Sequence, residues 1–373
     1  LKDQVEHIDA KANIDSLEPT AVNDFVMGWK ISGTFNGARI TGDGKAGALL
    51  ALKNVDKPFP LEAKLNVGKT SIRVNGTVTK PQELAAIDMR LHLSGASMAD
   101  LYPLTGITLP KTPEFSTEGH LIGVTNKAGG KWTYEKFKGK VGDSDIAGSL
   151  VYESKQPRPL LSGTVVSNLL QLSDLGPVIG ADSNESKKER GVAPNQPADK
   201  VLPVEKFTTE RWGSIDADVQ ITGHKIVHSA SLPIENLDTH LKMQDSVVTL
   251  SPLKFGVAGG TMIGDIKLDG RNNIIKAEAK VSARHLKLKQ LFPTFQPMQA
   301  SFGEVNGDTS LSGTGNSIAS LLATSNGEIK SLINEGTISK LLLEQIGLNI
   351  GNIVISKLFG DKQVHLNCMA TDL

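Results

Sequence analysis

A chain of 373 residues with 40 Lys plus Arg against 40 Asp plus Glu carries no net charge, which disfavours nucleic acid and anionic membrane surfaces as partners. Hydrophobic residues at 39% and charged residues at 21% suit a folded chain, while 37 glycines and aromatics at only 5% favour strands and turns. The single cysteine, Cys368, excludes an internal disulfide and a cysteine-based metal site, and it fits a reducing or an oxidising compartment equally well.

Residues 5–14 open the chain as a strand, and Asn36-Gly37 and Gly42-Asp43-Gly44 read as tight connections. One pattern then occurs three times, at residues 65–104, 137–175 and 253–291: a glycine-turned pair of alternating strands that closes on a short leucine-rich segment. The copies align on Gly76, Gly148 and Gly264, and again on Leu101, Leu175 and Leu291. Self-similarity of this kind marks stacked units that bury their apolar faces against their neighbours, so function belongs to a long surface.

Within these units the period is two. Ile87, Met89, Leu91 and Leu93 share one face opposite Asp88, Arg90, His92 and Ser94. Ile215, Ala217, Val219 and Ile221 repeat the arrangement, as do Ile275, Ala277, Ala279, Val281 and Ala283. One apolar and one wet face argues for antiparallel sheet. Gly129-Gly130 and Asp269-Gly270 read as further connections. Helical spacing is confined to residues 98–104, 169–175 and 286–291 at the repeat ends, to Ile318, Leu321 and Leu322 after a Ser317 cap, and to residues 338–346, before a strand resumes near Val364. Residues 181–200 hold almost no apolar side chain and read as a mobile loop. The expected division is β-groove repeats over 1–180, a flexible insertion over 181–203, repeats again over 204–316, and a distinct C-terminal region over 317–373.

No constellation supports catalysis. His224 and His228 have the i, i+4 spacing of a zinc helix, but they sit in a strand and lack the accompanying glutamate. The pairs Asp143 with Asp145 and Asp216 with Asp218 fall on polar strand faces, where nothing raises a carboxyl pKa for acid–base work. The run Gly313-Thr314-Gly315-Asn316-Ser317 lacks the lysine of a phosphate loop and reads as a helix cap. No metal or cofactor is expected.

Roughly twenty strands at about 4.8 Å each would extend to around 100 Å, and an open sheet of that size curls. Its apolar face then has to be covered by a second layer, closed into a barrel, or filled from outside, and the short helices are too few to cover it. The fold class is therefore mainly β, an elongated, curled, antiparallel sheet forming a hydrophobic groove. Alternation nominates Val74, Val78, Met89, Leu91, Leu93, Val219, Ile221, Leu241, Met243, Ile266, Leu268 and Val281 as groove-lining residues.

Three features carry a family resemblance: the Gly-x-Leu pattern at Gly148-Ser149-Leu150 with its variants at Gly76 and Gly264, the leucine-rich repeat ends, and the C-terminal stretch. That stretch runs Asn326-Gly327-Glu328, Glu335-Gly336-Thr337-Ile338, then residues 341–347 and 366–373. The chain resembles the AsmA-like family of Gram-negative envelope proteins, related in design to TamB-type and eukaryotic bridge-like lipid transfer proteins. The resemblance implies a periplasmic groove that passes glycerophospholipid between inner and outer membranes, with acyl chains as the ligand. It implies attachment to the inner membrane through an N-terminal helix outside this sequence, which reads as an internal piece of a longer protein. Outer-membrane or periplasmic proteins are further expected partners, and nucleic acid is not. The rival reading is an envelope assembly factor whose sheet edges pair with strands of outer-membrane proteins. Neither reading needs an enzyme.

Overall fold

The computed structural model describes residues 2–3, 8–18, 25–48, 57–80, 86–105, 109, 111–126, 129–171, 173–174, 184–189, 193–197, 202–207, 209, 212–227, 234–291, 302–340 and 363–372. One sheet of 19 strands dominates it. The strands are β1 (Lys2–Asp3), β2 (Ile8–Ser16), β3 (Met27–Phe35), β4 (Ala38–Ala46), β5 (Phe59–Val67), β6 (Thr70–Thr79) and β7 (Ala86–Gly95). They continue with β8 (Phe115–Asn126), β9 (Gly129–Val141), β10 (Ser144–Glu153), β11 (Leu160–Gln171), β12 (Asp216–Val227) and β13 (Ile234–Gln244). The last are β14 (Val247–Val257), β15 (Gly260–Asp269), β16 (Ile275–Lys287), β17 (Phe302–Gly315), β18 (Asn326–Ser339) and β19 (Gln363–Asp372). Four short helices accompany them among the described residues: α1 (Tyr102–Thr105), α2 (Asn184–Glu189), α3 (Leu288–Leu291) and α4 (Ile318–Ala323).

Each strand pairs with its neighbours in sequence, from β1 on β2 through to β18 on β19, and the two end strands do not meet. The sheet is therefore open. All the pairings are antiparallel except one, β11 with β12, which runs parallel from Leu160 opposite Asp216 to Gln171 opposite Val227. Parallel neighbours need a crossover of a dozen residues or more. Residues 172–215 supply it, which gives the insertion a topological role.

The insertion also differs from its sequence reading. Inside the segment expected to be a featureless loop, α2 buries Lys187 to 1% exposure, with its Nζ 2.7 Å from Glu205 and hydrogen-bonded to Asn195 Oδ1. Asn184 accepts from the backbone N–H groups of Asn195 and Gln196, and Gln196 accepts from Val204 N. Polar side chains tie the described parts of this stretch together where apolar ones are missing.

Other expectations are met or moved. Ser317 caps α4 in a full capping box with Ser320, as the sequence implied. Residues 98–104 are helical, as a 3-10 turn followed by α1. Gly42-Asp43-Gly44 is not a connection but the middle of β4, and residues 169–171 extend β11 where a helix was expected. Of the helix expected over 338–346, Ile338 and Ser339 end β18, and 341–346 lie outside the described residues.

The repeat glycines explain the curl. A Cβ added at Gly76 would stand 2.1 Å from Asp88 O, one at Gly148 2.0 Å from Thr164 O, and one at Gly264 2.4 Å from Lys280 O. Each of these glycines shares the face of the apolar residues: Gly76 lies between Val74 and Val78, Gly148 beside Leu150, Gly264 beside Ile266. Adjacent strands thus crowd together on the apolar side, and the sheet bends toward it. By this crowding the apolar face is the concave one. The accessible surface of 22044 Å² is half as large again as the about 14,000 Å² expected for a compact chain of 39.7 kDa. Among the described residues no second layer packs on the sheet, in keeping with so large a surface.

Gly76→Ala is expected to cost about 1–3 kcal/mol in denaturant unfolding, since its new methyl meets backbone rather than a movable side chain. Gly28→Ala, whose methyl meets the Leu17 side chain at 3.4 Å and no backbone atom nearer than Asp15 O at 4.0 Å, is expected to stay within about 0.5 kcal/mol of the parent. Equal losses for the two would contradict the curvature argument.

Candidate functional site

The inward face can be followed strand by strand through the registers. From β2 it passes Ile14, Trp29, Gly44, Ala63, Val74, Leu91 and Gly119. It continues on β9 and β10 through Tyr134 and Leu150 to Gly163 on β11. The parallel step keeps the phase, since Gly163 faces Val219, Val219 faces Leu241, and the series goes on to Leu250, Ile266, Ala279 and Leu311. From β2 to β16 the inward positions hold no Asp, Glu, Lys, Arg or His except Lys225 and Glu235, which face each other at a strand end. On the outward face the charges alternate across strands: Lys30 opposite Asp43, Asp43 opposite Lys64, Glu118 opposite Lys138.

All twelve residues nominated from alternation sit on this one inward face. Val74, Val78, Met89, Leu91 and Leu93 form a contiguous patch on β6 and β7, with Val74 directly opposite Leu91. Val219, Ile221, Leu241 and Met243 form a second on β12 and β13. Ile266, Leu268 and Val281 form a third on β15 and β16, beside Gly264 and Ala279. Val78, Met89, Leu91 and Val219 are buried among their neighbours, and the other eight are half-buried. Among the described residues, extensive contacts run only between adjacent strands and from the short helices to β16 and β17. The described residues line the concavity without filling it.

Two lips border this trough. One lip lies where β3, β5, β7, β9 and β11 end; it carries the repeat ends at Leu101 and Leu291, and Leu175 lies outside the described residues. Leu101 is buried beside α1, Leu288 of α3 packs with Ile333, Val305 and Met369, and Asp174 is buried beyond β11. The Asp174 carboxylate accepts from Asp143 N at 3.0 Å, Ser144 N at 2.9 Å and Ser144 Oγ at 2.6 Å, which fastens the crossover to the β9–β10 turn. At the opposite lip the crossover returns as a strap. Phe207 N donates to Asn316 O and Ala319 N to Pro203 O, Trp212 lies against Gly270, and Arg158 pairs with Asp216 at 2.9 Å.

The polar motifs prove to be cross-strand ties. Partial burial alone would push the Asp145 carboxyl up, but Leu169 N, Asn168 N, Asn168 Nδ2 and Ser167 Oγ donate to it and hold it below its ordinary range. Asp216 is paired with Arg158, and Asp218 accepts from His240 Nε2 at 2.6 Å. Asp143 is exposed in a turn. His224 is exposed on β12, His228 lies outside the described residues, and no cluster among the described residues could hold a metal ion. No helix among the described residues is long and apolar enough to cross a membrane.

Sequence reasoning missed two features, one on each face. The first is the aromatic group Trp132, Tyr134, Phe137 and Tyr152 on β9 and β10, hidden because strict alternation breaks at Glu135-Lys136. The second is the outward triad in which His120 donates through Nε2 to Asp88 at 2.6 Å and through Nδ1 to Glu135 at 2.9 Å, which only the pairing of β7, β8 and β9 brings together.

Comparison with known proteins places the chain. A family model described as the AsmA family matches residues 3–373. The AsmA family protein YhjG of Escherichia coli (strain K12) is 44% identical over 360 residues, covering 94% of this chain and 52% of that relative. The chain spans about half the length of the curated relative it matches. No solved structure matches it.

The hydrogen bonds to Asp88 first, and to Glu135 second, raise the His120 pKa above its ordinary value of 6.5. A raised folded-state value means the stabilisation is complete below the ordinary range and is lost as pH climbs through the raised one. Thermal melts from mildly acidic to mildly alkaline pH should therefore show the parent losing its advantage over His120→Gln as pH rises. A constant difference would contradict this role.

Proposed function

This chain belongs to the AsmA family, and on that premise we propose that its trough carries glycerophospholipid between the inner and outer membranes. Acyl chains lie in the concavity while headgroups stay in water at a lip. The observation that carries the reading is the continuous inward face of β2–β16, built of apolar and small uncharged polar residues and free of charge apart from the Lys225–Glu235 pair at one strand end. At about 4.8 Å per strand and 3.3 Å per residue, that face covers on the order of 2,000 Å², far beyond the few hundred Å² that soluble monomers expose. A face that size, bent inward and left uncovered by the described helices, calls for an apolar occupant.

The transport step requires no catalytic group. Each methylene kept from water is worth roughly 0.8 kcal/mol, whether in a bilayer or in an equally apolar trough. A chain sliding along a uniform trough exchanges one such contact for another and crosses small barriers. A charge on the inward wall would bring bound water and interrupt that exchange. The periplasmic setting, the attachment to the inner membrane by a helix outside this sequence and the contribution to outer-membrane lipid balance belong to the same proposal. They rest on the family.

Lipid co-purifying in gentle detergent, read by mass spectrometry, tests this directly. Val74→Asp and Ile266→Asp place a charge on the inward face at half-buried positions and should strip phospholipid from the protein. The outward controls Asn75→Asp and Lys267→Asp should retain it, with unchanged circular dichroism in all four. Phospholipid absent from the parent, or retained equally by every variant, would contradict carriage in the trough and favour pairing at the sheet edges.

A further inference from the structure

The trough wall is not uniform. The chain has only 3 Trp and 3 Tyr, yet Trp132, Tyr134 and Tyr152, together with Phe137, gather on the inward face of β9 and β10. A local device brings them there. β9 carries one residue more than either neighbour at this point, because the pairing shifts between Glu118 and His120 on β8 and between Gly148 and Leu150 on β10. The extra residue is Lys136, which has φ 50° and whose N–H donates to Ser149 Oγ at 3.0 Å. Such a bulge re-aims side chains. Here it lets Tyr134 and Phe137, three positions apart, face inward together, with their rings stacked at 5.2 Å and 9°.

The neighbouring strand β8 offers glycine beneath these rings. A Cβ at Gly123 would fall 2.6 Å from Trp132 Cδ1, and one at Gly119 2.7 Å from Tyr134 Cε2, so both rings lie directly on backbone. Phe137 is buried, whereas Trp132, Tyr134 and Tyr152 keep part of their ring surface open to the trough. Tyr134 OH donates to Thr117 Oγ1 at 3.3 Å, deep in the wall. Trp132 and Tyr152 stand opposite each other, 5.6 Å apart, near the lip where β10 ends. Neither Trp132 Nε1 nor the Tyr152 hydroxyl has a partner among the described residues. Indole and phenol with an apolar body and a wet tip are the side chains that sit at the boundary of hydrocarbon and water.

We propose that these four rings form a discrete seat for one lipid acyl chain, laid across Tyr134, which the buried Phe137 ring backs, with its ester end at the lip marked by Trp132 and Tyr152. No charged side chain occupies the inward face from β7 to β10, so the occupant at this point is alkyl and not a headgroup. Flat rings resting on glycine offer dispersion contact without the ordering of flexible side chains, which makes this a resting station on an otherwise smooth wall. The seat rests on the carriage reading above, and its position relative to the lips is its own claim.

The chain's three tryptophans supply the test, since Trp29 is also inward on β3, far from the seat, and Trp212 lies in the strap. The double variant Trp29→Phe/Trp212→Phe leaves Trp132 as the reporter, and Trp132→Phe/Trp212→Phe leaves Trp29. Each is reloaded in detergent with phosphatidylcholine brominated near the ester end or near the methyl end of one chain. Trp132 emission is expected to be lost to ester-end bromine and largely kept with methyl-end bromine. Quenching of Trp29 with Trp132 unquenched would overturn the seat and leave carriage standing, while equal quenching of Trp132 by both lipids would overturn the orientation. Neither tryptophan quenched by either lipid would overturn carriage itself.

Discussion

Charge on one side of the sheet and almost none on the other is the condition that the strands from β2 to β16 have to meet. Side chains alternate with a period of two, so a shift of a single residue in any pairing would carry all later inward residues outside. The registers hold the phase across the whole array, including the one place where the direction of the chain does not reverse. At β11 and β12 the crossover returns the chain to the opposite lip, and Leu161 still meets Ala217 and Val165 still meets Ile221. Where an extra residue enters, as at Lys136, its left-handed backbone absorbs the slip. Inward positions remain apolar on both sides of it.

Curvature follows from the same face. Side chains on the inside of a bend compete for space, and glycine at Gly76, Gly148 and Gly264 yields that space where neighbouring backbone comes closest. Removing side chains also leaves the concavity emptier than leucine or phenylalanine would. One residue type thereby produces both the bend and the room inside it. The outward face carries the opposite burden, holding adjacent strands together in water through pairs such as Arg284 with Asp308 at 2.8 Å and His285 with Glu304 at 2.8 Å.

Much of this was legible in the order of residues. Alternation in Ile87–Leu93 and Ile275–Ala283 assigns faces because nothing but a strand has period two, and all twelve nominated residues share one side. Connections were harder to read. Gly42-Asp43-Gly44 has the composition of a turn, yet Gly42 and Gly44 are inward positions of β4, packed against Leu65 and Glu62 O. Leu169 and Leu170 have helical spacing, but the parallel partner β12 draws them into strand. The ordering of α2 depends on an ion pair between Lys187 and Glu205, far apart in sequence, and the aromatic group depends on a bulge that breaks the very pattern used to find strands.

The central claim is that lipid occupies the inward face along its length. Photoreactive side chains placed one at a time at Ile72, Leu93, Leu241 and Leu268, and at their outward neighbours Arg73, His92, Lys242 and Lys267, would test it in intact cells. Cross-links to phospholipid are expected at each inward position and at none of the outward ones. Labelling without preference for either face, or none at the inward sites, would contradict the account.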